Sequence, residues 1–474
     1  MNKRIVMRTI DTDIAIIGAG TAGLSAYKAA VKAADPLGKR VLMIEGGPYG
    51  TTCARVGCMP SKLLIAAAEA AHGAAHMAPF GIGLTGEVVV DGPAVMDRVR
   101  RERDRFVGFV LEGVESIAAE DKLRGYARFV SANTLEVDGH TRVNVGSVVI
   151  ATGSSPSVPE SFKALGERLV VNDDVFEWRD LPKRVVVFGP GVIGLELGQA
   201  LARLGVVVRV FGMSGSLAGL TDLTVRQTAK KIFQQEFYLD PDARVLDTKR
   251  VGDEVEVRYV KLDNTECVER FDYALVATGR RPNLAGLELA AAGVTVNEKG
   301  MPAFDRQTMQ VGDWPIFIAG DVNNDVPLLH EAADEGHIAG ENAARYPDVQ
   351  QGFRRTPLAV VFTDPQLAMV GQGPSQLVAD TFVTGSVDFT GQGRSRVILK
   401  NKGLLHLYAD RASRRFVGAQ MVGPSAEHLA HLLAWSVQQE ITVDQMLQMP
   451  FYHPVIEEGL RTGLRDTAAK LDAN

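Results

Sequence analysis

The sequence predicts an α/β fold built on two doubly wound parallel units with an α+β domain at its end. Three observations carry that prediction. A strand, a glycine turn, a helix and a second strand follow one another at residues 10–46. The same order returns at residues 184–211. From Pro357 the texture changes to short strands alternating with helices.

The first unit opens on the apolar strand 13–17 and turns through Gly18-Ala19-Gly20-Thr21-Ala22-Gly23 into a helix at 24–34. A second strand at 40–44 ends in Glu45. Glycines in this spacing permit a tight turn and let a pyrophosphate approach the helix N-terminus. Glu45 stands where an acid binds ribose hydroxyls. A lone glycine pattern also occurs without any ligand, so the strand, helix and acid around it matter. The second unit repeats the pattern: strand 185–188, then Gly189-Pro190-Gly191-Val192-Ile193-Gly194, a helix at 195–204 and a strand at 206–211. Two fingerprints about a domain apart imply two dinucleotides held in one protein. After the second strand the acid that marks NAD is missing and Gly212 stands there. No arginine cluster for a 2′-phosphate replaces it, which favours NAD without excluding NADP.

Between the two fingerprints, residues 59–120 read as mostly helical, and the arginines of 95–117 as a solvated helix face. Strands are expected at 125–129, 134–137 and 148–154, the last running into Ala151-Thr152-Gly153. The segment 274–283 echoes that Ala-Thr-Gly, and 314–321 reads as a strand ending in Gly320-Asp321, with a helix at 330–344. Asp321 alone could be a turn residue or a helix cap. In the last domain, strands are expected near 381–389, 395–400, 404–409 and 415–421, then a helix at 425–439.

The most informative stretch is Gly50-Thr51-Thr52-Cys53-Ala54-Arg55-Val56-Gly57-Cys58-Met59-Pro60-Ser61-Lys62. On a regular helix the two cysteines would be separated by about 7.5 Å of rise, beyond the roughly 6.8 Å a disulfide spans. They can bridge only where the helix breaks, and Gly57 makes a break cheap. The apolar run after Pro60 reads as a helix, which places the cysteines at its N-terminus, where the dipole favours a thiolate. An arbitrary cysteine pair is more readily two buried structural thiols; here the glycines, the proline and Lys62 favour redox chemistry. Cys267 reads as a bystander on a strand.

This stretch resembles the active-site segment GGTCxNxGCxPSK of the flavin-dependent pyridine nucleotide–disulfide oxidoreductases, a family that includes dihydrolipoamide dehydrogenase, glutathione reductase and mercuric reductase. It departs from the pattern at Thr51 and Arg55. The resemblance extends over the whole chain, through the two fingerprints, Gly320-Asp321 and the terminal His453-Pro454-Val455-Ile456-Glu457-Glu458, which is similar to the family's H-P-T-x-x-E with Val455 for threonine. It implies an FAD-binding domain starting at 1–155, a nicotinamide domain at 156–284, a central domain at 285–352 that completes the FAD site, and a dimerisation domain at 353–474. It further implies that Cys53 is the interchange thiol, Cys58 faces the flavin, His453 shuttles the thiol proton and Glu458 orients the imidazole. Lys62 and Glu196 match positions near the flavin ring, and Asp321 the position that bonds the ribityl chain. Thr52, Ala127, Thr152, Gly153, Ser154 and Gly279 complete the cofactor-binding set. A homodimer is expected.

Composition sets the remaining bounds. A chain of 474 residues, 46% hydrophobic and 23% charged, holds several domains with substantial cores. A net charge of −6 argues against nucleic acid. No run is long enough to span a membrane, and the N-terminus lacks the apolar core of a signal peptide. Three cysteines suggest a reducing compartment, hence the cytoplasm. No metal site is expected. The end RDTAAKLDAN carries no second redox pair, and arginines typical of glutathione reductase are not evident. Dihydrolipoamide oxidation by NAD, on a lipoyl group of a carrier domain, is therefore the expected reaction. An NADPH-dependent disulfide reductase or a non-catalytic assembly component is the alternative.

Overall fold

The computed structural model describes residues 7–473. The stretch read for a signal peptide begins outside them. The chain forms two compact units, each assembled from three stretches. The first runs to Pro60 and resumes at Arg98–Ser157 and Arg280–Arg354; the second takes Ser61–Asp97, Val158–Gly279 and everything from Arg355.

The first unit is organised by a seven-stranded sheet. Strand Arg8–Ile17 lies parallel between Val41–Glu45 and Thr141–Ile150. Both long strands alternate exposed and buried residues over their first halves and are wholly buried over their last four. The physical reason is a change of neighbours. The early half of Thr141–Ile150 pairs antiparallel with Thr134–Val137, and its late half pairs parallel with Ile316–Ile318. A one-sided meander thus passes into a sheet covered on both faces. Helices Thr21–Ala34 and Leu329–Arg345 cover one face together. A Cβ at Gly336 would meet the Ala22 carbonyl oxygen at 2.2 Å, and one at Gly340 the Ala26 oxygen at 2.2 Å. Small residues one turn apart on each helix let the two backbones touch.

The second unit holds two sheets of five strands and one of three. In the parallel sheet Arg184–Phe188 lies between Val207–Phe211 and Tyr273–Val276. A three-stranded antiparallel sheet spans Arg244–Val251, Glu254–Val260 and Glu266–Phe271. The C-terminal antiparallel sheet runs in the order Leu358–Val361, Gln366–Gly371, Phe416–Gly423, Leu404–Asp410 and Phe382–Asp388. Helices Ala426–Gln438 and Glu458–Asp472 contribute Leu429, Leu433, Leu460 and Leu464 to its buried core.

Two expectations are corrected, and a third holds with an interruption. The strand expected at 395–400 is a helical turn, Gly393–Val397, capped by the Gln392 side chain, which accepts from the Ser395 N–H. Tertiary fit and the cap outweigh the β-branched residues there. The helical reading of 59–120 holds for Cys58–Ala75 and Gly92–Glu115 but is interrupted at 76–91, where glycines and a proline intervene. The strand ending at Asp321 is only Ile316–Ile318, and Asp321 opens a short 3-10 turn instead. Cys267 lies half-buried on strand Glu266–Phe271, as read.

Candidate active site

The two glycine turns have the same geometry. Gly20 and Gly191 each precede a helix in extended backbone, with φ of −77° at both and ψ of −171° and −173°. Neither helix has an acidic residue in its first turn or a side-chain cap. Their first N–H groups are thus left for a ligand's anionic oxygens. The other glycines are forced by close approach. A Cβ at Gly18 would meet the Ala151 oxygen at 2.3 Å, and one at Gly189 the Ala277 oxygen at 2.3 Å. A Cβ at Gly23 or Gly194 would lie 1.9 Å from the oxygen of the fingerprint's own first glycine. By contrast nothing stands within 4 Å of a Cβ at Gly20 or Gly191. The open side of each middle glycine is the room a pyrophosphate needs, so both cradles fit a dinucleotide.

In the first cradle Glu45 braces the turn. One carboxylate oxygen accepts from the Ala19 N–H at 2.7 Å, the other from the Gly47 N–H at 2.6 Å. Each oxygen retains a lone pair for a ribose hydroxyl. On the far side Ser154 donates its hydroxyl to Asp321 at 2.7 Å. Arg280 holds Ser154 in turn, its Nε 2.8 Å from the hydroxyl and its Nη2 2.7 Å from the carbonyl. Thr152 and Gly153 are tied to Asn283, whose N–H donates to the Gly153 carbonyl at 3.0 Å. Gly153 and Gly279 both take positive φ. Arg280 and Asn283 were missed in the sequence, though both belong to the echo of Ala-Thr-Gly that drew attention to 274–283. Ala127 is buried and its side chain packs into the apolar core, which leaves only its backbone for a ligand.

In the second cradle Gly212 is sealed. A Cβ there would meet the Pro190 ring at 2.5 Å and the Pro241 carbonyl at 2.7 Å. The proline inside the fingerprint thus fills the space that any side chain at 212 would need. Nor is Arg209 spare: its Nε lies 3.1 Å from Glu269, and its guanidinium sits over the Tyr238 ring.

The cysteine stretch breaks where the spacing requires. Thr52–Val56 is one helical turn, Gly57 departs from helix at φ −129° and ψ −115°, and Cys58 begins the 18-residue helix Cys58–Ala75. Gly57 packs on the first cysteine: a Cβ there would lie 3.2 Å from the Cys53 α-carbon. Thr51 holds φ +58° and caps the short turn, its hydroxyl accepting from the Ala54 N–H at 3.2 Å. Thr52 is exposed beside it. Cys53, half-buried, lines a cavity of about 380 Å³ with Leu24, Lys28, Thr51, Val110 and Leu329. Cys58, exposed at the head of the long helix, does not line it.

Two further pairs are assembled within the second unit. Lys62 Nζ meets Glu196 at 2.7 Å and lies 4.5 Å above the Phe362 ring. Glu196 is buried, and its other oxygen accepts from the Phe362 N–H at 2.9 Å. His453 Nδ1 lies 3.0 Å from Glu458, and Arg461 donates to the same carboxylate. The hydrogen bond from His453 holds Glu458 below the usual carboxylate range. With Nδ1 engaged, Nε2 is the nitrogen left to exchange a proton. The thiol pair and the histidine pair belong to different units.

A protein with two dinucleotide cradles, a dithiol at a helix N-terminus and a carboxylate-oriented histidine is built as a flavin- and nicotinamide-linked disulfide oxidoreductase. Residues 12–336 match the pyridine nucleotide-disulphide oxidoreductase model, and residues 358–463 match that family's dimerisation domain. The chain belongs to this family, whose members bind FAD and a nicotinamide dinucleotide. Dihydrolipoyl dehydrogenase of Geobacillus stearothermophilus is 30% identical over 458 residues, covering 95% of this chain and 94% of that one. Among solved structures, LpdA from Mycobacterium tuberculosis superposes with a TM-score of 0.80 at 24% identity, over 96% of this chain and 99% of that one. A copper(II) complex of the flavoprotein disulfide reductase RclA from Escherichia coli gives 0.79 at 21%, over 96% and 99%. Among the described residues no helix is long and apolar enough to cross a membrane, and no cluster of potential metal ligands was found.

Proposed function

We propose that this protein is a dihydrolipoyl dehydrogenase, oxidising a dithiol on a lipoyl carrier domain with NAD in the cytoplasm, as a homodimer. The observation that carries the reading is the helix break at Gly57, which sets Cys53 against a cavity and Cys58 at the head of a long helix. FAD would be held by Gly18, Gly20, Gly23, Glu45 and Asp321, with Lys62 and Glu196 near its ring. The nicotinamide would be held by Gly189, Gly191 and Gly194. Bound FAD would supply the two-electron relay between the reduced Cys53–Cys58 pair and NAD.

The chain's own residues perform the thiol chemistry. His453 Nε2 removes the proton of a substrate thiol. The resulting thiolate attacks the Cys53 sulfur, the Cys53–Cys58 bond breaks, and Cys58 leaves as a thiolate. The helix dipole stabilises that thiolate. The second substrate thiol then attacks the mixed disulfide, releasing Cys53 and the oxidised, cyclic substrate. Two electrons and two protons leave the substrate in all. Glu458 keeps the imidazole oriented and stabilises its cation. NAD is favoured because Arg209, the basic residue on strand Val207–Phe211, is committed to Glu269.

The test is a direct comparison of turnover with dihydrolipoamide plus NAD against glutathione disulfide plus NADPH. A kcat/KM at least a hundredfold higher for the first pair is expected, and the reverse order would replace this reading with an NADPH-dependent reductase. Cys53→Ser, Cys58→Ser and His453→Gln should each abolish dithiol turnover. Turnover surviving in all three would remove these residues from the chemistry, whereas a wild type without turnover on either pair would leave the chain a non-catalytic role.

A further inference from the structure

A buried carboxylate outside the thiol and histidine pairs is aimed at the turn that carries Asp321. Glu335, on helix Leu329–Arg345, has no exposed surface. Its Oε2 accepts from the Gly320 N–H at 2.8 Å and from the Asn323 side-chain amide at 2.7 Å. Its Oε1 accepts from Arg354 Nη1 at 2.9 Å. One turn earlier on the same helix, Glu331 accepts from Arg354 Nη2 at 2.8 Å. Glu331 is nearly as buried, but no hydrogen bond joins it to the turn among those described.

We propose that Glu335 is a positioning residue for the flavin site: it grips the turn Gly320–Asn323 on both sides of Asp321 and fixes where that carboxylate meets the cofactor. Three features support this. Gly320 takes φ +79° and ψ −164°, a conformation open essentially to glycine, and a Cβ there would crowd Ala22 and Ala332. A turn in that conformation needs its amide held. Next, the two residues that Glu335 grips flank Asp321, whose own carboxylate is set by Ser154. The backbone and the side chain of the ligand-binding residue are thus fixed by separate devices. Last, two buried acids share one arginine here. Such an arrangement is costly, and well-packed apolar residues of similar size are often as stable or more so. Stability alone does not explain a buried acid whose second oxygen goes wholly to one turn.

This inference rests on the proposed role of Asp321 at FAD, and the experiment separates the two. The rate of FAD loss from the full-length holoprotein on dilution is read from the recovery of free-flavin fluorescence. Asp321→Ala should raise that rate; if it does not, the turn does not hold FAD, and the proposal fails with that reading. Given a raised rate for Asp321→Ala, Glu335→Gln and Asn323→Ala should each raise it about tenfold. Asn323→Ala removes one arm and leaves the ion pairs intact, so it stands should Glu335→Gln fail to fold. Glu331→Gln weakens the same arginine cluster without touching the turn, and it should leave the rate within twofold of wild type. Nicotinamide affinity should be unchanged throughout. If Asn323→Ala releases FAD at the wild-type rate, or Glu331→Gln releases it as fast as Glu335→Gln, the positioning role is overturned and the cluster is packing alone.

Discussion

At the scale of single residues, two side chains make separable contributions. Lys62 shields Glu196, which is otherwise buried with, among the described residues, the Phe362 N–H as its other partner. Lys62→Met leaves that carboxylate uncompensated and should cost about 2–3 kcal/mol, the low end for a broken buried pair because Lys62 is a third exposed. Adding Glu196→Gln should restore most of the loss in urea unfolding. On the proposed placement beside the flavin ring, the flavin potential should respond differently, lower in Lys62→Met and higher in Glu196→Gln, because a positive charge there would favour the reduced, anionic ring. Dye-equilibration titrations that find no change would place the pair away from the flavin. Thr51 is the second case. A β-branched residue at φ +58° is strained by about 1–3 kcal/mol, yet its hydroxyl caps the turn that carries Cys53, a contact worth about 1 kcal/mol. Thr51→Ala loses the cap and keeps the strain, so it should be less stable by about 1 kcal/mol. Thr51→Gly loses both and should match or exceed the wild type. Thermal unfolding of the two variants decides it. The sequence showed that Thr51 replaces a glycine, but only the backbone angle gives that replacement a cost.

Among the elements, helix Leu223–Phe233 carries a pH-dependent anchor. Asp222 caps it, accepting from the Thr224 and Val225 N–H groups. The same carboxylate meets His406 at 2.7 Å and the Tyr408 hydroxyl at 2.8 Å, both on strand Leu404–Asp410. Burial by itself would raise this carboxyl, but the hydrogen bonds from His406, Val225 and Tyr408 outweigh it and hold it at about 2. Its unfolded value is near 3.9. A depressed carboxyl stabilises the fold above the unfolded value, and that stability is lost as pH falls through the folded one. The contribution is therefore present at neutral pH, amounts to about 2 kcal/mol, and drains away between about pH 5 and 2. Asp222→Asn keeps an oxygen for the cap but removes the charge. It should lower stability at pH 7 by about that amount and flatten the slope of the urea midpoint between pH 5 and 3; an unaltered slope would assign the acid sensitivity elsewhere. Asp222 follows a threonine in a glycine- and leucine-rich loop and was not singled out in the sequence. Its partners lie far along the chain, so nothing local announces them.

For the whole molecule, the dimerisation domain raises the question of whose histidine serves whose thiols. The family resemblance predicts that His453 acts on the Cys53 of the other subunit. Mixed dimers of Cys53→Ser and His453→Gln chains test this. If the histidine acts across the dimer, one site carries both defects and the other none, so activity returns to near half that of wild type. If it acts within its own chain, each site keeps one defect and the mixture stays inactive.

Much of the plan was determined by the sequence alone, because its signals are local. Gly23 and Gly194 must approach the carbonyl of their own fingerprint's first glycine, Gly57 must break a helix, and each constraint is met by neighbours in the chain. The glycine turns, the helix behind the cysteines and the central strands accordingly fall where the pattern places them. Short elements were less legible, as at Gly393–Val397, where a capping side chain and packing outweigh propensity. What tertiary structure alone decided are contacts between remote segments: Glu335 with Gly320 and Asn323, Arg280 with Ser154, Lys62 with Glu196, and the Pro190 ring that closes the space at Gly212. That last contact also means that an acid introduced at Gly212 would collide with the Pro190 ring before it could bear on nicotinamide preference. Burial is the physical reason for the difference. A turn declares itself by the backbone freedom it needs, whereas a buried polar group is defined by partners that only folding brings within 3 Å.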